Sequence, residues 1–456
     1  MDNKTSTQLL PNNSTAIVGN SIFGTSLSHI ISSKNKINLY IRPEEKIYLY
    51  TYKDDGIIKY KVSKQMNGNY VFANKVAVEN YLESIDTEKL GENKKFAKDD
   101  NLTKKVCFDA FDFIKNTKIN PFKNNTSLPE NIEFYCNLES LIKESTSLII
   151  AIPHKFLKNF LENLKKIPEI KNLQQIVSVA KGIDKEDLNV TRKIINVLKV
   201  DEKVVYVIMG PNIASEIHSG IITTSTFGGN FKNNIDANKL IEGFKNVEIV
   251  EGSEGRDVVE LIGGIKNVIT IVMGLYDYMA NFSALIEKMC EKKIDQNFKN
   301  PEKIQKLKSI KLGINTESYI LSLSIKESIS LISNLLAVPV SKVAEIYMLN
   351  CGIGDLTASL KGGRNYKSGQ ISGKNFIENF YKKNENLISD DFLQKIPIES
   401  LKNLQGVENI NCLVEYCGNR MGIDTFKNDY KVLYWCWGVV NGLDEFNIFP
   451  EVDGFY

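Results

Sequence analysis

Five short runs of branched and aromatic residues constrain this chain more than any other feature: TAIVG from Thr15, INLYI from Ile37, SLIIAIP from Ser147, QIVSVAK from Gln175 and VVYVIMG from Val204. None shows much polar alternation. A strand that is apolar on both sides must be covered on both faces, which calls for a mainly parallel sheet with helical crossovers. Segments between the runs, such as FLKNFLENLKK from Phe156, carry the helical period. After about Gly252 the strand runs stop, and SYILSLSIKESISLISNLLA, VSKVAEIYML and VENINCLVEYCGNRMG all fit helices. The expected organisation is an α/β domain over residues 1–252, followed by an all-α domain over residues 253–456. Two stretches read as insertions: about 46–106, rich in Lys, Asn, Asp and Tyr, and the lysine-heavy stretch about 279–311, expected as a solvated loop or exposed helix.

The bulk properties narrow the function classes. With 456 residues the chain has room for two or three domains. A net charge of +2 gives no global field for nucleic acid or a membrane surface, so an anionic ligand must be held by local groups. The seven cysteines show no CxxC spacing and are odd in number, which argues for free thiols in a reducing compartment and against a zinc site. The N-terminal MDNKTSTQLLPNNST has no basic region followed by an apolar run, so no signal peptide is expected. A soluble, cytoplasmic protein is the expectation.

VVELIGGIKNVITIVMGL, Val258 to Leu275, is the longest apolar segment, and Lys266 with Asn267 interrupts it, which speaks against a membrane span. Helical spacing puts Lys266 on the same side as Ile262, Ile269 and Met273. A buried ammonium is costly unless paired, so this lysine either snorkels out of a structural helix or faces a cleft where chemistry needs it.

The first strand run leads into GNSIFG, Gly19 to Gly24, and then a helical segment, the context of a dinucleotide fingerprint. Ser21 stands where the middle glycine of GxGxxG would be; a turn without a ligand is the alternative. After the second strand come Arg42 and Glu44, near where an adenosine ribose would sit, and they leave NAD against NADP open. IPHKF, VAKGID with Lys181, and GPNIASEI each follow a strand, at the carboxyl edge where α/β proteins bind ligands. His29, His154 and His218 have no carboxylate paired to them in sequence, so a histidine acid is disfavoured. In the helical half, CGIGDLTASLKGGRN places Asp355 and Ser359 one turn apart. Gly362 and Gly363 then lead to Arg364 and Asn365, which form either a phosphate holder or a plain helix end with an exposed arginine.

Taken in order, GNSIFG, PHKF, KGID, GPNIASE, GGIKN, GIGDLTASLKGGRN and LQGVE resemble the NAD-dependent glycerol-3-phosphate dehydrogenase family over most of the chain outside the two insertions. The resemblance implies a Rossmann-type cofactor domain, a helical substrate domain and a homodimer. It implies reversible hydride transfer between NADH and dihydroxyacetone phosphate, linking carbohydrate metabolism to glycerophospholipid precursors, with no metal. By match to the family's motifs, Lys266, Lys181 and Asp355 are the catalytic residues, and Asn267, Ser359, Arg364 and Asn365 contact the substrate. Gly19, Asn20, Ser21, Ile22, Phe23, Gly24, Phe156, Lys181, Ala214, Arg364 and Gln405 contact the cofactor. Departures fall at Ser21, at Ser359 (usually threonine) and at Ile314, Asn315 and Ser322, where the family has a DN pair and an arginine. They motivate two rival readings: a dinucleotide-binding homologue without turnover, and a dehydrogenase of the same architecture acting on a hydroxy acid.

Overall fold

The structure is a computed structural model, and it describes residues 14–19, 22–31, 36–54, 57–63, 71–84, 102–121, 127–232, 237–238, 241–242, 244, 246–291, 313–383, 401 and 404–441. Along the chain the strands are β1 Ser14–Val18, β2 Lys36–Tyr40, β3 Lys46–Asp54, β4 Ile57–Ser63, β5 Val71–Ala73, β6 Leu102–Asp109 and β7 Ile132–Tyr135. They continue as β8 Ser147–Ile150, β9 Gln175–Ser178, β10 Ile183–Asp184, β11 Leu188–Asn189, β12 Val205–Met209, β13 Thr224–Gly229 and β14 Asn246–Glu251. The five expected runs are β1, β2, β8, β9 and β12. The chain divides into two compact units: residues 1–179, 213–223 and 231–246, and residues 180–212, 224–230 and 247–456.

In the first unit β7, β2, β1, β8 and β9 lie side by side, all parallel. Ala16, Ile17, Ile37, Leu148, Ile149, Ile176 and Val177 are fully buried, as strands covered on both faces require. The chain builds outward from β1 to β2 and β7, then returns to place β8 and β9 on the other side. The order therefore reverses between β1 and β8, the switch point where such sheets open a crevice.

The described residues of the first insertion are strands and a helix. Strands β5, β4, β3 and β6 form an antiparallel sheet, with helix Lys75–Ser84 crossing between β5 and β6. Ile47, Leu49 and Tyr50 of β3 and Tyr60 and Val62 of β4 are buried, so one side of the sheet is covered. Of the second insertion, residues through Glu291 continue a helix, and the lysine-rich remainder lies outside the described residues.

The second unit is built around that helix, Gly252–Glu291. Its span Gly252–Asp277 is long and apolar enough to cross a membrane, yet the most apolar stretch of it is wholly buried within the protein. Strands β12 and β13 pair antiparallel. Val258, Leu261, Ile262, Ile265, Val268, Ile269 and Val272 join one core with Leu331, Tyr347, Leu413 and Leu433 from the later helices. The six described cysteines are free thiols.

Candidate active site

The glycine turn lies at the switch point of the first unit. Gly19 follows β1 with φ +116°, and a Cβ there would sit 2.3 Å from the Ala151 carbonyl oxygen at the end of β8. A Cβ on Gly24 would meet the Gly19 carbonyl at 1.7 Å. Both positions exclude a side chain, and helix Ile22–Ile31 starts directly after the turn. Two positions closed to a side chain at a helix N-terminus suit the close approach of a pyrophosphate, so these glycines fit a dinucleotide. Asn20 and Ser21 lie outside the described residues, as do the side chains of Ile22 and Phe23. Ala214 opens helix Ala214–His218, and its carbonyl accepts a 3.1 Å hydrogen bond from Ser26 Oγ on the glycine-turn helix. Phe156, in the first turn of helix His154–Leu164, is 55% exposed, with the Lys155 ammonium over its ring. Arg42 pairs with Glu44 at 3.6 Å and Glu45 at 3.7 Å.

The second unit gathers the charged residues that the sequence singled out. Lys266 projects from the long helix and is 3% exposed. Its Nζ lies 2.7 Å from Asp355 Oδ1, donates to Ser359 Oγ at 2.6 Å and reaches the Asp355 carbonyl at 3.4 Å. Lys181, from the loop after β9, places its Nζ 2.5 Å from Asp355 Oδ2 and 3.1 Å from the Gly210 carbonyl. One buried carboxylate is thus shared by two ammonium groups, each on its own oxygen. Burial pulls the Lys266 pKa down from 10.5 to about 7, and the neighbouring Lys181 charge pulls the same way; Asp355 opposes both.

Local structure explains the convergence. The turn before Asp355 is a short π-helix, Asn350–Gly354. Glu248 fixes it by accepting from the Asn350 backbone N–H at 2.7 Å and from Thr226 Oγ1 at 2.9 Å. Thr226 Oγ1 in turn accepts from the Cys351 backbone N–H at 2.9 Å. Helix Asp355–Leu360 then brings Ser359 one turn past Asp355 onto Lys266. The Ser359 carbonyl accepts from Gly362 at 3.4 Å and Gly363 at 2.7 Å, so one residue ties the lysine to the glycine turn. Arg364 and Asn365 follow as the first two residues of helix Arg364–Lys383. Arg364 is exposed and makes no hydrogen bond or ion pair among the described residues. Asn267 is 6% exposed, and its side-chain amide likewise has no partner among them.

Gln405 heads helix Gln405–Met421 and donates to Asn409 Oδ1 at 2.8 Å. Asn409 was not among the expected site residues, yet its amide also reaches the carbonyl of Lys181. The signal in the sequence is an asparagine within the apolar stripe Gly406, Ile410, Leu413, Cys417. Ile314 opens helix Ile314–Leu336 and is 80% exposed, while Ser322 Oγ donates to the Tyr319 carbonyl, so neither departure touches the lysine cluster.

A parallel sheet with a glycine turn at its switch point is the arrangement of dinucleotide-binding proteins, and the helical unit holds a buried lysine on a shared carboxylate. The comparisons are more particular. Residues 108–234 match the family described as NAD-dependent glycerol-3-phosphate dehydrogenase N-terminus. The glycerol-3-phosphate dehydrogenase 1-like protein of Xenopus tropicalis is 27% identical over 256 residues, 55% of this chain and 62% of that one. The glycerol-3-phosphate dehydrogenase [NAD(P)+] of Neorickettsia sennetsu is 26% identical over 329 residues, 69% and 81% of the two chains. Solved glycerol-3-phosphate dehydrogenases share the fold. That from Plasmodium falciparum has TM-score 0.58 at 17% identity, over 95% of this chain and 92% of that one. That from Saccharomyces cerevisiae has TM-score 0.58 at 14% identity, over 96% and 97%. The chain is thus similar to NAD-dependent glycerol-3-phosphate dehydrogenases, in sequence over part of its length and in fold over nearly all of it.

Proposed function

We propose that this chain is an NAD-dependent sn-glycerol-3-phosphate dehydrogenase acting mainly as a reductase of dihydroxyacetone phosphate. The observation that carries the reading is Lys266, a buried ammonium held at 2.7 Å by Asp355 and 2.6 Å by Ser359 with its pKa brought to about 7. When bound, the dinucleotide supplies a hydride from C4 of its nicotinamide. Lys266 stabilises the negative charge that develops on the substrate carbonyl oxygen and donates the proton that oxygen takes up. Asp355 keeps Lys266 oriented and offsets the cost of its burial, and Lys181 adds positive charge against the same carboxylate. Asn267, beside Lys266 and with its side-chain amide unpartnered among the described residues, orients the substrate. Arg364 and Asn365, with the backbone N–H groups of the helix they begin, hold the phosphate. Fixing the substrate through its phosphate holds the reacting carbon in place, which can be worth several orders of magnitude in rate.

In this reading residues 1–252 bind the cofactor through Gly19–Gly24, Phe156, Lys181 and Ala214, and residues 253–456 bind the substrate, with Arg364 and Gln405 also reaching the cofactor. The carboxylates paired with Arg42 favour NAD over NADP. A cytoplasmic homodimer in glycerophospholipid and carbohydrate metabolism completes the proposal; the relative from Drosophila ezoana carries the word cytoplasmic in its name. The test is NADH oxidation by the purified protein with dihydroxyacetone phosphate, run beside NADPH and beside unphosphorylated dihydroxyacetone. Turnover that requires the phosphate supports the assignment. Equal turnover of both ketones removes the phosphate site, and no turnover with NADH still bound points to a homologue that has lost the reaction.

A further inference from the structure

Asn409 is completely buried, and all of its hydrogen-bonding capacity is used on protein groups. Its Nδ2 donates to the Lys181 carbonyl and to the Gly264 carbonyl, both at 2.9 Å. Its Oδ1 accepts from the Ile183 backbone N–H at 3.3 Å and from Gln405 Nε2 at 2.8 Å. Gly264 lies two residues before Lys266 on the long helix, and a Cβ there would come within 2.9 Å of Ile183 Cγ1. The missing side chain at Gly264 thus lets the Lys181 segment and the long helix approach closely enough for one amide to bridge them.

Lys181 and Lys266 come from segments far apart in sequence, and they meet only at Asp355. Nothing covalent sets their spacing, and charge-assisted contacts of 2.5 and 2.7 Å leave little room for slip. We propose that Asn409 is a positioning residue for the reaction: its amide locks the backbone that carries Lys181 to the helix that carries Lys266, and so fixes where the two ammonium groups meet the Asp355 carboxylate. The inference rests on the dehydrogenase reading for its kinetic consequence and on geometry alone for its effect on Lys266. Asn409 acts through the lysines, because no atom of its side chain is left for a ligand.

The experiment compares the full-length protein with Asn409→Asp, which keeps shape and acceptor but loses both donors, and with Asn409→Leu, which loses everything. Thermal melts report folding, and should the Leu variant fail to fold, the Asp variant carries the test. Steady-state kinetics give kcat and KM, and competitive acetylation read by peptide mass spectrometry follows Lys266 across pH. The expected result is a kcat lowered about tenfold to a hundredfold, the order a 1 Å misplacement costs. The KM for dihydroxyacetone phosphate should stay within about threefold. The Lys266 acetylation midpoint should shift together with the pH limb of kcat. A folded Asp variant with wild-type kcat and an unmoved Lys266 midpoint overturns the proposal, as does a loss confined to KM. A wild-type protein inert toward dihydroxyacetone phosphate whose Lys266 midpoint still shifts in the variants would keep the positioning role and sink only the dehydrogenase reading.

Discussion

Taking an ammonium out of water costs free energy, and Lys266 is 3% exposed; the carboxylate of Asp355 and the hydroxyl of Ser359 hold it in place without restoring the pKa of a free lysine. A pKa of about 7 leaves both protonation states populated near neutrality, as a group that gives a proton in one direction and takes it in the other requires. Reduction needs the charged form, so its rate should fall as pH rises through about 7, while glycerol 3-phosphate oxidation, which needs the neutral form, should rise over the same interval; pH profiles of both directions check this. Lys266→Ala should lower kcat by at least about two orders of magnitude, and near-normal turnover would remove Lys266 from the mechanism. Arg364→Ala removes an exposed guanidinium with no partner among the described residues, so the fold should be unaffected. Its KM for dihydroxyacetone phosphate should rise far more than the NADH dissociation constant, and equal losses in both would mean the phosphate contact is misplaced.

Helix Arg364–Lys383 reaches the long helix through two glycines facing opposite ways. A Cβ on Gly274 would lie 2.1 Å from the Tyr366 carbonyl, and one on Gly369 would lie 2.1 Å from the Ile271 carbonyl. Backbone therefore packs on backbone, and the contact sets Arg364 against the helix that carries Lys266. Gly369→Ala should force the helices apart at a cost of about 1–3 kcal/mol, visible in urea melts, and should raise the KM for the phosphorylated ketone more than that for NADH. Elements of this kind differ in how plainly the sequence announces them. The five buried strands stood out because strands covered on both faces read as unbroken apolar runs. The sheet β3–β6 escaped because its buried residues, such as Ile47, Leu49 and Val62, are interspersed with lysines and tyrosines that make the stretch resemble a solvated loop. Lys181, Lys266, Asp355 and Ser359 were singled out from local pattern and resemblance, and the structure brings them together. Asn409 stayed hidden because three of its four partners are backbone groups, which no residue letter reveals.

Across the whole molecule two buried ionisable groups set opposing pH dependences. Glu260 is fully buried among Thr191, Asn189 and the Asp257 charge, and burial raises its pKa from 4.5 to about 7. Between those values the folded state holds more protons than the unfolded one, so stability from this group falls as pH rises through that window. Lys266 acts above it: from about 7 to 10.5 the unfolded chain holds more protons, and stability rises with pH. Glu260→Gln should remove the first effect, so its melting temperature relative to wild type should improve between pH 5 and pH 8; an unchanged difference would mean that Glu260 is charged in the folded state throughout.

The second unit is assembled from three separate stretches of chain, 180–212, 224–230 and 247–456. A nascent polypeptide leaves the ribosome from its N-terminus, so Lys181, β10, β11 and β12 emerge well before the long helix they pack on. Until Gly252–Glu291 has been translated, apolar residues such as Ile183, Leu188, Val207 and Met209 have no core to enter. They form a waiting surface that chaperones would have to shield. A gene fragment stopped at residue 252 would strand them permanently, and such a fragment should be recovered as aggregate rather than as a free cofactor-binding domain.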